Sequence, residues 1–379
     1  MLSRRSLLRA ATGLTAAAPL SLLLRPDPAA AVPPGPGTAK PVPATLAAAR
    51  DAVDTGVTVS SEFPLTHLSV PADAQVRLRT ADGWQPWRAA SGCPGGPDGA
   101  PAAPASALVP ATGAMAYQIR TVDGRPAGVT ELNTVDGPAR ADSAPPTALT
   151  LPRSSRCDWR PPYLSRAAWG ADESYRYNPD GTLEAPPAFH GVQTLTVHHS
   201  GEPVAQPDPI AHIRGIYYTQ AVTKDWGDIG YQLLIDAAGR IYEGTYSDGD
   251  RIPVFGPSTD ANGLPAMVNG SHVLGFNAGN VGVCVLGNFM LAPPTAAAVR
   301  SLTLVLALLA KATRLDPEGT TNYVNPISGS TATLRTISSH QDWHTANPKA
   351  ESTLCPGDHL YAQLPQIRRD VAVLTGKLG

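Results

Sequence analysis

The chain has 379 residues, room for two domains, and 42% of them are hydrophobic, enough for sizeable cores. A formal charge of −2 offers no basic face and excludes nucleic acid or an anionic membrane surface as an expected partner. The 39 prolines and 35 glycines stay below a disordered composition and crowd the first 160 residues, so linkers are expected there and a compact domain beyond.

Residues 1–31 read as an export signal. Arg4 and Arg5 form a twin-arginine pair, an apolar stretch runs from Leu7 to Leu24, and Ala29-Ala30-Ala31 offers a cleavage site. Arg9, Gly13 and Pro19 interrupt that stretch, which argues against a retained anchor and for no stable membrane insertion after removal. Residues 32–56 are rich in Pro and Ala, with a short helix expected from Thr45 to Asp54. The region 57–136 reads as strands: Leu65–Val70, Val76–Arg79, Met115–Val122 and Val129–Val135, with Asp82-Gly83 and Asp123-Gly124 as turns. A small β-sandwich-like domain follows from that pattern. Trp84 and Trp87 either cap its core or form an aromatic shelf, and Cys93–Ala105 is a loop. Residues 137–162 are a linker.

From 163 to 379 strand and helix patterns alternate, which predicts an α/β domain: a mixed central β-sheet flanked by helices. His198 ends one strand, and Asp208-Pro209 opens a helix reaching Tyr218. Strands are expected at Tyr231–Asp236, Arg240–Glu243 and Val281–Leu286. Thr295 caps a helix from Ala296 to Thr313, Leu334–Ile337 is the strand before His340, and Gln366–Lys377 is the last helix.

A thiolate and imidazoles are the ligands zinc prefers, and a catalytic zinc keeps three protein ligands and one open position. Cys355, fixed beside Pro356 and Gly357, and His340 and His198, each at the end of a strand-like run, form such a set. On a strand His198 and His199 point to opposite faces, so only one of them can meet a given metal. His344 and His359 are alternatives to His340. Asp342 either orients a ligand imidazole or is solvated. With Cys355 on metal and Cys284 in a buried strand, Cys93 and Cys157 are left to pair as a disulfide.

Several stretches in this second domain, taken in order, resemble the zinc amidases of the phage lysozyme-type N-acetylmuramoyl-L-alanine amidase and peptidoglycan-recognition family. They are Leu164–Ala171, Val197–Ser200, Trp226–Tyr231 with Leu234–Asp236, Arg240–Gly244, Gly270–Asn277, Val281–Val283 with Leu286–Phe289, and Cys355–Asp358 with Leu360-Tyr361. The resemblance implies Zn²⁺ held by His198, His340 and Cys355, with Tyr231 and Thr353 as catalytic residues. It also implies a muramyl-peptide groove with His199, Trp226, His272 and Asn277. The expected activity is hydrolysis of the amide between N-acetylmuramic acid and L-alanine in peptidoglycan, by a secreted, cell-wall-directed monomer. A protein that binds peptidoglycan without cutting it is the rival. A copper electron-transfer site is disfavoured, because Met1, Met115, Met267 and Met290 all lie far from Cys355 in sequence. The chain departs from the family at Thr219-Gln220, where a histidine is usual, and at Asp225, where glycine is usual. It also departs in the long spacing from His340 to Cys355, which implies an insertion within 343–352.

Overall fold

The computed structural model describes residues 42–101, 105–140, 147–148, 161–202, 207–248 and 253–377. The expected export signal and Cys157 lie outside these residues.

In the first region β1 (Leu46–Val53), β2 (Val59–Pro71), β3 (Gln75–Thr80), β4 (Ser106–Arg120) and β5 (Ala127–Asn133) pair antiparallel in the order β1-β5-β2-β4-β3. The helix expected over 45–54 is instead strand β1, paired with β5 from Leu46 opposite Asn133. Its Ala-rich sequence suits a helix, but half-buried and exposed positions alternate along it, and sheet pairing decides the outcome. The sheet therefore begins upstream of residue 57. The expected linker also carries a paired strand, Ala139–Arg140 against Val42–Pro43.

The strands that suggested a sandwich form one continuous sheet. β2 and β4 run 13 and 15 residues and shift register between Ser60 and His67. Such irregularities bend and twist a strand, and the curved face encloses Leu65, Leu68, Val76, Tyr117 and Ile119. Trp84 and Trp87 lie outside that core. The Arg77 guanidinium sits 4.9 Å from each ring and that of Arg120 sits 3.8 Å from Trp87, a cation–π stack at the surface.

The second sheet is built from β6 (Pro162–Leu164), β7 (Thr194–His199), β8 (Leu233–Ile235), β9 (Ile241–Glu243), β10 (Asn280–Val285) and β11 (Ile337–Ser339). Their order is β6-β9-β8-β10-β7-β11, parallel except for the β8–β9 pair, and Thr147–Ala148 adds a seventh, antiparallel edge strand beside β6. The helices are α1 (Pro209–Tyr218), α2 (Ala296–Thr313), α3 (His340–Ala346) and α4 (Leu364–Lys377). Both expected caps are present: Asp208 accepts the Ala211 amide and Thr295 accepts the Ala298 amide.

Strand alternation divides the sheet's two faces. Leu195, Val197, Val281, Val283 and Val285 pack with α2 and α4 on one side. On the other, Cys284 packs with α1 through Ile213, Ile216 and Tyr217, and His198 stands opposite Cys284 in register. Helix α2 is apolar and long enough to cross a membrane, but it is 67% buried and serves as the core helix.

The two sheets meet across α1. Leu108 and Leu132 of the first region share an apolar cluster with Ile213 and Tyr217. Buried His67 Nε2 lies 3.1 Å from His212 Nδ1, and His212 Nε2 lies 3.2 Å from Glu202 Oε2.

Candidate metal centre

His198 reaches the centre because β7 ends there with its even-numbered side chains off the main core. His340 follows immediately from β11. There Ser339 opens α3 with a capping box, its own amide donating to Asp342 Oδ2 at 2.8 Å. Asp342 also accepts the Tyr361 hydroxyl, so this carboxylate serves the helix start and the C-terminal packing. Trp343, one turn on, donates its indole N–H to Thr196 Oγ1 at 2.9 Å and pins α3 to β7. Cys355 arrives on a tight turn. Thr353 Oγ1 accepts its amide at 3.1 Å, and Gly357 takes φ 84° with Phe289 so close that a Cβ there would lie 2.5 Å from backbone.

The polar groups behind His198 define which of its nitrogens is free. His272 Nε2 lies 2.9 Å from the Asn280 carbonyl oxygen, which only accepts, so that nitrogen carries the proton. His272 Nδ1 is then a lone pair, and it sits 3.0 Å from His198 Nε2, which must donate. His198 Nδ1 is left bare and faces sulfur: 3.7 Å to Cys355 Sγ and 3.9 Å to Cys93 Sγ. This is the tautomer a metal ligand needs, set by a partner behind it. Burial pushes the His198 imidazole down to about 4 and His272 well below its ordinary range, so both are neutral at pH 7.

The structure brings His198, His340 and Cys355 together, and adds a fourth group. Ligand atoms of Cys93, His198, His340 and Cys355 all lie within 4.8 Å of one another, and all four residues are buried. Cys93 Sγ is 3.1 Å from His340 Nδ1. Around a tetrahedral zinc, with bonds of about 2.0–2.3 Å, neighbouring donors stand roughly 3.3–3.8 Å apart. Two imidazoles and two sulfurs gathered this closely suit zinc in both chemistry and size. Burial raises both thiols. For Cys93, hydrogen bonding from Cys355 and the nearby imidazoles outweighs this and holds it well below its usual range, while Cys355 goes up beside it. The expected Cys93–Cys157 disulfide is thereby corrected: Cys93 is a free thiol committed to this cluster.

Sequence reasoning missed Cys93 and Glu351. Cys93 had a signal, since Cys93-Pro94-Gly95 repeats the tripeptide Cys355-Pro356-Gly357. Glu351 comes from the 343–352 insertion. Its Oε2 lies 3.9 Å from His340 Nε2, both atoms are buried, and neither has a hydrogen-bond partner among the described residues. It faces the His340 nitrogen turned away from Cys93, beyond direct hydrogen-bond reach.

The other predicted residues are spread differently. Tyr231 is buried with its ring 5.3 Å from that of His198, at the edge of a cavity also lined by Cys93, Glu202, Gln220 and Lys224. Burial drives its phenol well above the usual 10. His199 turns away: its Nδ1 accepts the Phe289 amide at 3.3 Å, while its own amide donates to Cys355 Sγ at 3.3 Å. Trp226 is buried under Lys224, whose Nζ lies 4.6 Å from its ring. Gln220 Oε1 accepts the Gly230 amide and so shapes the turn into Tyr231. Asn277 is fully buried, its Oδ1 accepting the His272 and Val273 amides at 2.7 and 2.8 Å.

One α/β domain thus brings two imidazoles and a cysteine sulfur to one buried point, a candidate metal site. Residues 188–358 match the N-acetylmuramoyl-L-alanine amidase family (Amidase_2). Human N-acetylmuramoyl-L-alanine amidase is 31% identical over 141 residues, 36% of this chain and 20% of that protein. Human peptidoglycan recognition protein 3 is 27% identical over 142 residues, 37% of this chain and 34% of its own length. The chain thus spans about a fifth and a third of these two relatives. Among solved structures, the amidase LysC of Clostridium intestinale aligns at 19% identity and TM-score 0.32, covering 50% of this chain and 92% of that one. Human PGRP-Iβ C-terminal domain, solved with glycosamyl muramyl pentapeptide, aligns at 22% identity and TM-score 0.34, covering 53% and 92%. Cys93 and the whole first sheet lie outside the matched segment.

Proposed function

We propose that this protein is a zinc-dependent hydrolase of the amide between N-acetylmuramic acid and L-alanine in peptidoglycan, exported through its twin-arginine signal and acting as a monomer at the cell wall. The observation that carries the reading is the convergence of His198, His340 and Cys355 on one point inside an amidase-family domain, with the His198 lone pair held outward by His272. His198, His340 and Cys355 would hold the zinc, which would supply Lewis acidity toward water and an amide carbonyl. The chain's own groups do the rest. Tyr231, kept protonated by burial, donates to the carbonyl oxygen as charge builds there. Thr353 holds the Cys355 turn and acts as a positioning residue. Glu351 steadies the His340 ring from the far side. The loop from Ser271 to Asn277 and the Trp226 turn frame the face that receives the muramyl peptide.

Digestion of purified peptidoglycan tests this. New L-alanine amino termini are expected with zinc present, and a chelator should abolish them. The relation to a peptidoglycan recognition protein supports a second reading, binding without hydrolysis. Saturable muramyl-peptide binding with no new amino termini, in protein carrying one zinc and with Cys93 replaced, would favour it.

A further inference from the structure

We infer that Cys93 is a fourth, removable metal ligand carried on a strap from the first domain, so that the folded protein is latent until the strap withdraws. The inference rests on the zinc reading above and adds a resting state to it.

Catalytic zinc sites keep a position open, whereas sites closed by four protein ligands are structural. With His198, His340 and Cys355 alone the site is of the open kind. With Cys93 Sγ 3.1 Å from His340 Nδ1 and 3.9 Å from His198 Nδ1, it is closed. Neither water nor a carbonyl oxygen then has a vacant position to occupy.

The segment bearing Cys93 is built to lie there. Ser91–Asp98 contains three glycines and two prolines and no helix or strand. It runs along the 271–278 loop, the rim of the proposed substrate face. Asp98 latches it: Oδ1 accepts from Asn277 N at 3.0 Å and Asn277 Nδ2 at 3.1 Å, and Oδ2 accepts from Ala278 N at 2.9 Å. The Gly96 carbonyl accepts from Asn277 Nδ2 at 2.8 Å. Contact is so close at Gly95 that a Cβ would stand 2.8 Å from the Ser271 carbonyl oxygen. The residues expected to contact substrate are therefore covered by the same eight-residue strap that supplies the sulfur.

The latch can open without unfolding. Residues 91–98 belong to none of the apolar clusters; Ser91 and Gly92 pack on Gly201 and the Ser106 backbone and anchor the start of the strap, and its far end is held on the Asn277 loop by one carboxylate and one carbonyl. On opening, Cys93 would withdraw as a thiolate and take a proton from solvent, leaving His198, His340 and Cys355 as a three-donor site open to water.

Full-length wild type and Cys93→Ala, stripped of zinc and loaded with Co²⁺, test the ligand directly. Sulfur-to-cobalt charge-transfer absorption counts the thiolates: about twice the intensity is expected in wild type, two sulfurs against one. Reloaded with zinc, Cys93→Ala should cleave peptidoglycan at least about tenfold faster, the gain expected if the open form is a tenth of the population or less. Asp98→Ala keeps the sulfur and loosens the strap. In the zinc-loaded protein, iodoacetamide should modify Cys93 roughly tenfold faster in that variant, by the same population argument. Equal cobalt–sulfur bands in wild type and Cys93→Ala, or Cys93 alkylation unchanged by Asp98→Ala, would overturn the inference while leaving the amidase reading intact. Failure of either protein to bind metal would overturn both. Two sulfurs against one with no gain in rate would overturn latency.

Discussion

Replacing His272 by leucine tests the logic of the centre at a residue that touches no substrate in the proposed reaction. The ring accepts from His198 Nε2 at 3.0 Å and donates to the Asn280 carbonyl at 2.9 Å. Leucine fills much of the same space and leaves both partners buried and unpaired, at roughly 1–3 kcal/mol each. A stability loss on the order of 3 kcal/mol follows, or roughly 10 °C in the melting temperature of the metal-free protein. Without an acceptor on Nε2, nothing holds the proton there, and His198 Nδ1 spends part of its time protonated and unable to ligate. Loss of such an outer partner lowers metal affinity about 10–100-fold. Competition against a chelator of known zinc affinity reads this directly. A variant that melts lower yet binds zinc as tightly as wild type would show that His272 only packs, and would refute the tautomer argument.

Gly282→Ala should reproduce the affinity loss, because a Cβ there would stand 2.6 Å from the His272 ring, which its two hydrogen bonds hold in place; unchanged chelator competition would contradict it. Tyr231→Phe should cut amide hydrolysis on the order of 10²–10³-fold while zinc content stays at wild-type level, as measured by turnover and metal analysis together. Glu351→Gln should weaken zinc binding about 10-fold or more with little change in folding, measured by the same competition. For the metal-free protein, His198 falls from its ordinary 6.5 to about 4 on folding, so the unfolded state takes up the proton first as pH drops. Its contribution is fully present above pH 6.5 and is lost towards pH 4, roughly 3 kcal/mol in all. Buried His67 and His272 shift the same way. Urea midpoints that stay level from pH 7.5 to 4.5 would count against this burial.

Much of the second domain is legible because each local signal agrees with the tertiary one. The apolar run ending in His198 is a parallel strand, and Asp208-Pro209 and Thr295 begin helices as their side-chain chemistry requires; the strand expected at Leu334–Ile337 splits, Leu334 and Arg335 ending an antiparallel hairpin strand (Thr331–Arg335) and Ile337–Ser339 forming the parallel strand before His340. Local reading fails where the partner is distant. The Ala-rich stretch at 46–53 has helical propensity, but β5, some eighty residues on, supplies an edge that makes it a strand. His272 and Asn277 read as groove residues; His272 is instead enclosed by His198, Asn280 and Gly282, and Asn277 by the distant 91–98 segment, which no pattern near residue 272 encodes. Cys93 sits in a Gly/Pro loop that looks like a connector, and its role exists only once the two sheets pack across α1. Glu351 lies in an insertion whose path follows from Ala350 packing into the cluster around Trp343.

The most direct measurement is metal content. Any three of the four donors can still hold zinc, so two must go at once, and the comparison is wild type against the double variant His198→Ala/Cys355→Ala, each purified without added metal. About one zinc per chain is predicted for wild type and near none for the variant, with both proteins folded. Equal zinc in the two, or none in wild type even after incubation with excess metal, would contradict a centre built from these residues.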